Sequence, residues 1–445
     1  MRLTIVGGGG FRVPLVYRAL ASDDRAVRVD ELVLHDTSEA RLRRVAAVLA
    51  DLAPSYAHAP RVRLTTDLTD AVSGADFVFS AMRVGGLAGR VCDERSALDL
   101  GVLGQETTGA GGVCYGLRTI PVALELAEAV RRTAPEAYVI NFTNPAGMVT
   151  EAMSAVLGRQ VIGICDSPVG LFKRVARVLG IPRDEITFDY AGLNHLGWLH
   201  RALVDGEDLL PRVLADPERL MEIEEGRLFG PQWLASLGTM PNEYLWYWYY
   251  TADAVASIAK AGQTRGEYLL DQQERFYAGE GEAFAGWERT RLDREETYMA
   301  EGRASTDAGE RDHEDLDGGG YDRVALALMS AISADEGAGL VLNVPNDGTL
   351  DALDRDAIIE VPCTVDAGGP KPVAVSQLLP HERGLVSTVK DVERATIEAA
   401  TSGSRSAALK ALALHPLVDS VTHARQILDR EIESLPDLRR VLTQP

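Results

Sequence analysis

The 445-residue chain has no apolar run long enough to span a bilayer, so a membrane-spanning helix is not expected. Its opening, MRLTIVGGGG, lacks the basic start, long apolar stretch and small-residue cleavage site of a secretory leader, and the expected location is the cytoplasm. There are only 4 cysteines, Cys92, Cys114, Cys165 and Cys363, with no CxxC pair and no closed Cys/His set of the kind structural zinc requires. In a reducing compartment these read as thiols rather than disulfides. Cations are also scarce: 45 Lys and Arg against 66 Asp and Glu leave a formal net charge of -21. That excludes nucleic acid and anionic membrane as partners, because both need a basic face. A small anionic molecule is not excluded, since a local group of arginines and backbone N–H groups suffices for it.

What is present is an alternation of short apolar runs with amphipathic stretches. Strands are expected at Leu3–Val6, Leu32–His35, Phe77–Ala81, Tyr138–Phe142 and Val161–Ile164, with helices around Val13–Ala21, Ala40–Leu52, Thr119–Arg132 and Met148–Leu157. This is the rhythm of βαβ units: an α/β, Rossmann-like, doubly wound parallel sheet whose ligand lies at the carboxyl ends of the strands. After Pro168 the rhythm changes, and a second α+β domain is expected. The division is 1–168 for cofactor and 169–445 for substrate, metal and oligomerisation, with the acidic, glycine-rich stretch 300–320 read as disordered. Further strands are expected at Thr187–Gly192, Gly339–Asn343 and near Ile358–Val361, and two or three helices from Val386 onward.

Gly7, Gly8, Gly9 and Gly10 follow the first strand directly and precede a helix with Pro14 in its first turn. Glycine lets the backbone approach a pyrophosphate, and a helix N-terminus favours its charge. Arg12 replaces the third glycine of GxGxxG, so the turn alone is a weak signal. Asp36 ends the second strand, where a carboxylate accepts hydrogen bonds from the adenosine ribose; as a purely structural group it would cap the next helix. Together, Gly7–Arg12 (with Phe11) and Asp36 point to a dinucleotide, NAD rather than NADP.

Five polar clusters stand at expected strand ends: RVGGLAGRVCDE (Arg83–Glu94), read as a glycine-bearing loop, GQETTGAGG (Gly104–Gly112), NFTNP (Asn141–Pro145), CDSP (Cys165–Pro168) and GLNHLGW (Gly192–Trp198). Singly, each has a structural explanation: a buried thiol, a core histidine, a turn-forming amide. All five, however, fall where an open α/β sheet places its ligand. Sulfur, imidazole and carbonyl oxygen suit a borderline divalent metal such as Mn²⁺.

With GGGGFRVP, MPNEYLWYWYY, LVLNVPNDG, IIEVPCTV and ALALHPLV, these motifs resemble glycoside hydrolase family 4, most closely its 6-phospho-β-glucosidases, over nearly the whole chain. The resemblance implies that NAD and Mn²⁺ are cofactors and that Cys165 and His195 hold the metal. It places Asn144 and Asn194 beside the substrate, and makes a tyrosine after the histidine the base, Tyr244 with Tyr247 as the alternate. Arg90 and Arg265 are the expected partners of the anionic group of a small glycoside. The implied reaction is oxidation at C3 by NAD, deprotonation at C2, elimination of the C1 substituent, addition of water and re-reduction, with Asp166 as an acid for the leaving oxygen or an orienting group for Cys165. Asp166 is a departure from the many β-specific members that carry Asn there and matches the Asp of α-specific ones, so anomeric preference stays open. The alternatives are an α-linked or sulfonated sugar, a malate- or lactate-like dehydrogenase, and a non-catalytic NAD sensor. The resemblance further implies a homodimer or homotetramer.

Overall fold

The computed structural model describes residues 1–25, 27–279, 282–297, 303 and 320–444, so the stretch read as disordered lies, but for its last residue and Arg303, outside the described residues. Six parallel strands come first: β1 (Arg2–Val6), β2 (Glu31–His35), β3 (Arg61–Thr65), β4 (Phe77–Ser80), β5 (Tyr138–Asn141) and β6 (Val161–Gly163). Their order in the sheet is β3-β2-β1-β4-β5-β6, the doubly wound arrangement expected. β4 and β6 are buried along their whole length, as strands covered on both faces must be. β3 was not expected from the sequence. It is an edge strand, RVRLT, whose polar residues are tolerated because no residue in it is fully buried.

Helices α1 (Val13–Ala21), α2 (Glu39–Leu52), α3 (Leu68–Val72), α4 (Gly86–Leu98), α5 (Ala110–Thr133), α6 (Ala146–Leu157) and α7 (Ser167–Leu179) connect and cover these strands. Arg83–Glu94 is therefore not the glycine-bearing loop expected. Two consecutive positive-φ glycines, Gly85 and Gly86, end the loop early, and Arg90 stands on α4. Helix α5 begins nine residues earlier than its apolar pattern suggested, because the glycines Gly111 and Gly112 pack against the carbonyls of Gln105 and Thr107.

The sheet does not stop at β6. Seven more strands follow: β7 (Thr187–Leu193), β8 (Leu196–Val204), β9 (Glu207–Asp208), β10 (Met240–Pro241), β11 (Ala338–Pro345), β12 (Ile358–Asp366) and β13 (Gly369–Pro372). β11 joins β6 antiparallel at Asn343 and Gly163, and the order continues β11-β12-β7-β8-β10, giving one 13-stranded sheet. The tail forms four helices beginning at Pro380, ahead of the Val386 expected: Pro380–Ser402, Arg405–Leu414, Val421–Ser434 and Pro436–Val441. Their small apolar residues, Ala399, Ala408 and Ala411, pack with Val113, Leu117 and Ile120 of α5 in a second core. No helix among the described residues is long and apolar enough to cross a membrane.

Candidate active site

The glycine turn follows from close contact. A Cβ on Gly7, whose φ is +93°, would lie 2.4 Å from the Ala81 carbonyl at the end of β4. The turn also sits hard against β2: Gly7 and Gly8 donate to the His35 carbonyl at 2.9 and 2.7 Å. Asp36 accepts from the Gly9 N–H at 3.1 Å through Oδ2 and from the Ser38 N–H at 3.0 Å through Oδ1. It does not cap α2, because Ser38 takes that place with its hydroxyl on the Arg41 N–H. Two groups from distant helices hold the far side of the turn. Tyr277, on the helix Arg265–Ala278, donates to the Gly9 carbonyl at 2.7 Å, and Trp287, on the helix Ala283–Glu296, donates to the Phe11 carbonyl at 2.8 Å. Arg12 points toward Asp166 at 4.0 Å and Glu295 at 3.7 Å.

The same cavity, about 1010 Å³, that exposes Gly7, Gly10 and Asp36 is lined at its other end by Asn144, Cys165, Asp166, Asn194, His195 and Tyr244. All but Tyr244, which sits in the helical turn Glu243–Leu245, stand at the end of a strand or in a tight connection. Cys165 and Asp166 follow β6, Asn144 precedes the cis Asn144–Pro145 bond after β5, and Asn194 and His195 form the turn between β7 and β8. His195 adopts φ +61°, the left-handed region that residues other than glycine seldom occupy.

Hydrogen bonding tethers the His195 ring. The Thr107 hydroxyl lies 3.0 Å from His195 Nδ1 and 3.2 Å from the Gln105 side-chain oxygen, so the ring is held through its Nδ1 edge. Burial pushes the imidazole down to about 4, against the attraction of Glu106, and keeps it neutral. The Tyr244 ring lies flat on it, centroids 3.6 Å apart and planes 3° off parallel. Behind Asn194 is Glu360 of β12, which accepts from Asn194 and Asn343 at 3.0 Å on one oxygen and from Tyr190 at 3.0 Å on the other. Burial pushes this carboxyl up to about 7. Burial and then the charges of Glu360 and Asp166 push the Cys165 thiol up as well.

These features fit a divalent cation. A cation would relieve the crowding of Cys165, Asp166 and Glu360, and the Asn144 side-chain oxygen is buried with no hydrogen-bond partner among the described residues. Among the described residues there is no group of three or more His, Cys, Asp and Glu disposed to hold a metal. The soft and borderline donors that face the cavity are the Cys165 sulfur, the His195 imidazole and side-chain amide oxygen, a set too small to enclose a metal by itself.

The arginines are arranged differently from the sequence expectation. Arg90 is buried against Glu94 and Glu106, each at 2.7 Å, and Arg265 donates to the Thr297 hydroxyl at 2.5 Å and the Arg294 carbonyl at 2.7 Å. Neither is among the residues lining the cavity, whereas Arg12, Arg83 and Arg294 are. Arg83 donates to the same Oε2 of Glu106 as Arg90, also at 2.7 Å; against the upward push of burial, the two guanidinium groups hold that carboxylate far below the usual range. Burial and then Arg12 push Arg294 down to about 9. Sequence reasoning missed Glu106, Arg294 and Glu360. Glu360 had a usable signal, a lone carboxylate inside the apolar run IIEVP; Arg294, one of several charges on a polar helix, had none.

Comparison with known proteins matches residues 2–181 to the family described as family 4 glycosyl hydrolase and residues 190–418 to the family 4 glycosyl hydrolase C-terminal domain. A probable 6-phospho-β-glucosidase of Bacillus subtilis is 34% identical over 98% of this chain and 96% of its own. A 6-phospho-α-glucosidase of Lacticaseibacillus paracasei is 30% identical over 97% of each. The structure of the Thermotoga maritima 6-phospho-β-glucosidase with manganese, NAD⁺ and glucose-6-phosphate superposes with a TM-score of 0.83 at 28% identity over the full length of both chains. A malate dehydrogenase of Plasmodium falciparum, at 12% identity and a TM-score of 0.50, shares the fold alone.

Proposed function

The chain belongs to family 4 of the glycosyl hydrolases, and from that premise we propose that it hydrolyses 6-phosphoglycosides, a 6-phospho-β-glucoside first among them, with NAD and Mn²⁺ as cofactors. One observation carries the reading: the glycine turn and the group Cys165, His195 and Tyr244 open onto a single cavity. A dehydrogenase of the malate or lactate type is not favoured, because the chain resembles such an enzyme at only 12% identity while family 4 models match residues 2–181 and 190–418.

NAD supplies reversible hydride acceptance at C3 of the sugar, and the divalent metal supplies Lewis acidity at the oxidised carbon. Gly7–Arg12 and Asp36 bind the dinucleotide, and Cys165 and His195 hold the metal. Asn144 and Asn194 bind sugar hydroxyls. Asn194 is itself oriented by Glu360, which fixes which side-chain atom faces the cavity. Tyr244 removes the proton at C2; its stacking on His195 keeps the hydroxyl beside the metal ligands. Asp166, on the cavity wall and near Arg12, donates a proton to the leaving oxygen. Arg90 and Arg265 act on the anionic group through their neighbours, Arg90 by setting Glu106 and Arg83, and Arg265 by fixing the Arg294 backbone. The work is divided between 1–168, which carries the dinucleotide turn, and 169–445, which brings the histidine and tyrosine. The protein acts in the cytoplasm as a homodimer or homotetramer.

The test is a screen of nitrophenyl α- and β-linked 6-phosphoglucosides and 6-phosphogalactosides, with a sulfonated sugar as control, under catalytic NAD⁺ and Mn²⁺. Release of nitrophenol without net NADH accumulation supports the reading. Stoichiometric NADH, or turnover confined to the sulfonated sugar, overturns it.

A further inference from the structure

Arg41 stands in the first turn of α2, three residues after the Ser38 cap, and reaches the same cavity as Asp36. Its guanidinium lies over the Tyr277 ring, 4.4 Å from the centroid. No carboxylate among the described residues pairs with it. The contacts around it close on themselves. Ser38 caps the Arg41 N–H and donates its own N–H to Asp36, Asp36 accepts from Gly9, and the Gly9 carbonyl accepts from Tyr277, whose ring carries Arg41. The position of the guanidinium is therefore set by the glycine turn itself.

This arrangement brings two opposed signals to one place. A carboxylate ending the second strand selects a free ribose 2′-hydroxyl, whereas an arginine beside it is the group that receives a 2′-phosphate. Each Asp36 oxygen already accepts one backbone N–H and keeps a lone pair for a ribose hydroxyl, but its charge repels a phosphate. Arg41, pinned on an aromatic face at a helix N-terminus, is shaped for such an anion.

Resting on the NAD reading above, we propose that Arg41 is a second determinant of cofactor choice, a preformed 2′-phosphate receptor held in place by Tyr277 and overridden by Asp36 alone. The experiment is titration of the purified full-length protein with NAD⁺ and with NADP⁺, followed by intrinsic fluorescence and calorimetry, without substrate. Wild type binds NAD⁺ more tightly than NADP⁺. Asp36→Ser raises NADP⁺ affinity by about tenfold or more, and adding Arg41→Gln removes that gain while leaving NAD⁺ affinity at the Asp36→Ser level. Tyr277→Leu in the Asp36→Ser background erodes the gain, and Tyr277→Phe, which keeps the ring, erodes it less. Asp36→Asn, which retains an amide oxygen for the Gly9 N–H, replaces Asp36→Ser if the serine variant does not fold. An Asp36 variant that binds NADP⁺ no better than wild type, or a gain that survives Arg41→Gln, overturns the proposal. A wild type that binds neither dinucleotide overturns the cofactor reading itself.

Discussion

At the scale of single residues, the site depends on which atom each side chain leaves available. The His195 ring is held at its Nδ1 edge by the Thr107 hydroxyl, 3.0 Å away. Tyr244 is placed by ring contact, with its backbone N–H tied to Asn242 at 3.0 Å. Tyr244→Phe therefore keeps the stack and loses the hydroxyl. Turnover is expected to fall by about 10²–10⁴-fold, the usual contribution of a positioned acid or base, while the protein retains its manganese. Steady-state rates with paired metal analysis check this, and loss of the metal along with the activity would instead make Tyr244 part of the metal's support.

At the scale of elements, the glycine turn is a joint product of β1, β2 and two helices nearly three hundred residues away. Trp287 is fully buried and its indole N–H is the partner of the Phe11 carbonyl. Trp287→Phe leaves that carbonyl unpaired and opens a gap beside the ring, so a loss of about 2–4 kcal/mol is expected together with weaker NAD⁺ binding. Urea midpoints and a cofactor titration measure the two effects; unchanged NAD⁺ affinity would mean that the helices do not set the turn.

A second junction of elements couples stability to pH. Arg118 of α5 binds Asp93 of α4 through two bonds of 2.6 and 2.7 Å and lies 3.5 Å from Glu431 on the helix Val421–Ser434. One buried guanidinium faces two buried carboxyls. Burial and then Asp93 push Glu431 up from 4.5 to about 8. A raised carboxyl keeps its proton in the folded chain after the unfolded chain has lost it. Its contribution is therefore complete below about pH 4.5 and declines as pH rises toward about 8. Glu431→Gln preserves the shape without the titration, so urea midpoints of this variant are expected to vary less between about pH 5 and about pH 8 than those of wild type. An unaltered pH slope would remove Glu431 from the linkage.

For the whole molecule, the continuous 13-stranded sheet is decisive. The parallel half ends at β6, and β11 covers that edge so closely that a Cβ on Gly163 would lie 2.7 Å from the Asn343 Cβ. The tail helices bury the face of α5. Cut at residue 168, the first unit would expose an unpaired sheet edge and an apolar helix. Calorimetry is expected to show one cooperative transition for the full chain and none for the isolated 1–168 fragment, which binds a hydrophobic dye; a separate transition for that fragment would show that it folds independently. The same scale shows how a chain of net charge -21 gathers cations locally: Arg12, Arg83 and Arg294 line one cavity although carboxylates predominate overall.

The sequence by itself determined the parallel strand order's building blocks, the glycine turn with Asp36, and the strand-end motifs that carry Asn144, Cys165, Asn194 and His195. These are local matters: apolar runs bury, glycines permit a close turn, and a chain leaving a strand must expose its next residues at the sheet's end. The edge strand β3 escaped because edge positions demand no apolar pattern. Helix α4 escaped altogether because its Gly-rich opening has the composition of a loop. Only the tertiary structure decided which arginines face the cavity, that Glu360 stands behind Asn194, and that Tyr277 and Trp287 close on the glycine turn. Those contacts join residues about 170 to 280 positions apart, and the direction a charged side chain takes there depends on which partner desolvates it most favourably, a quantity no local pattern contains.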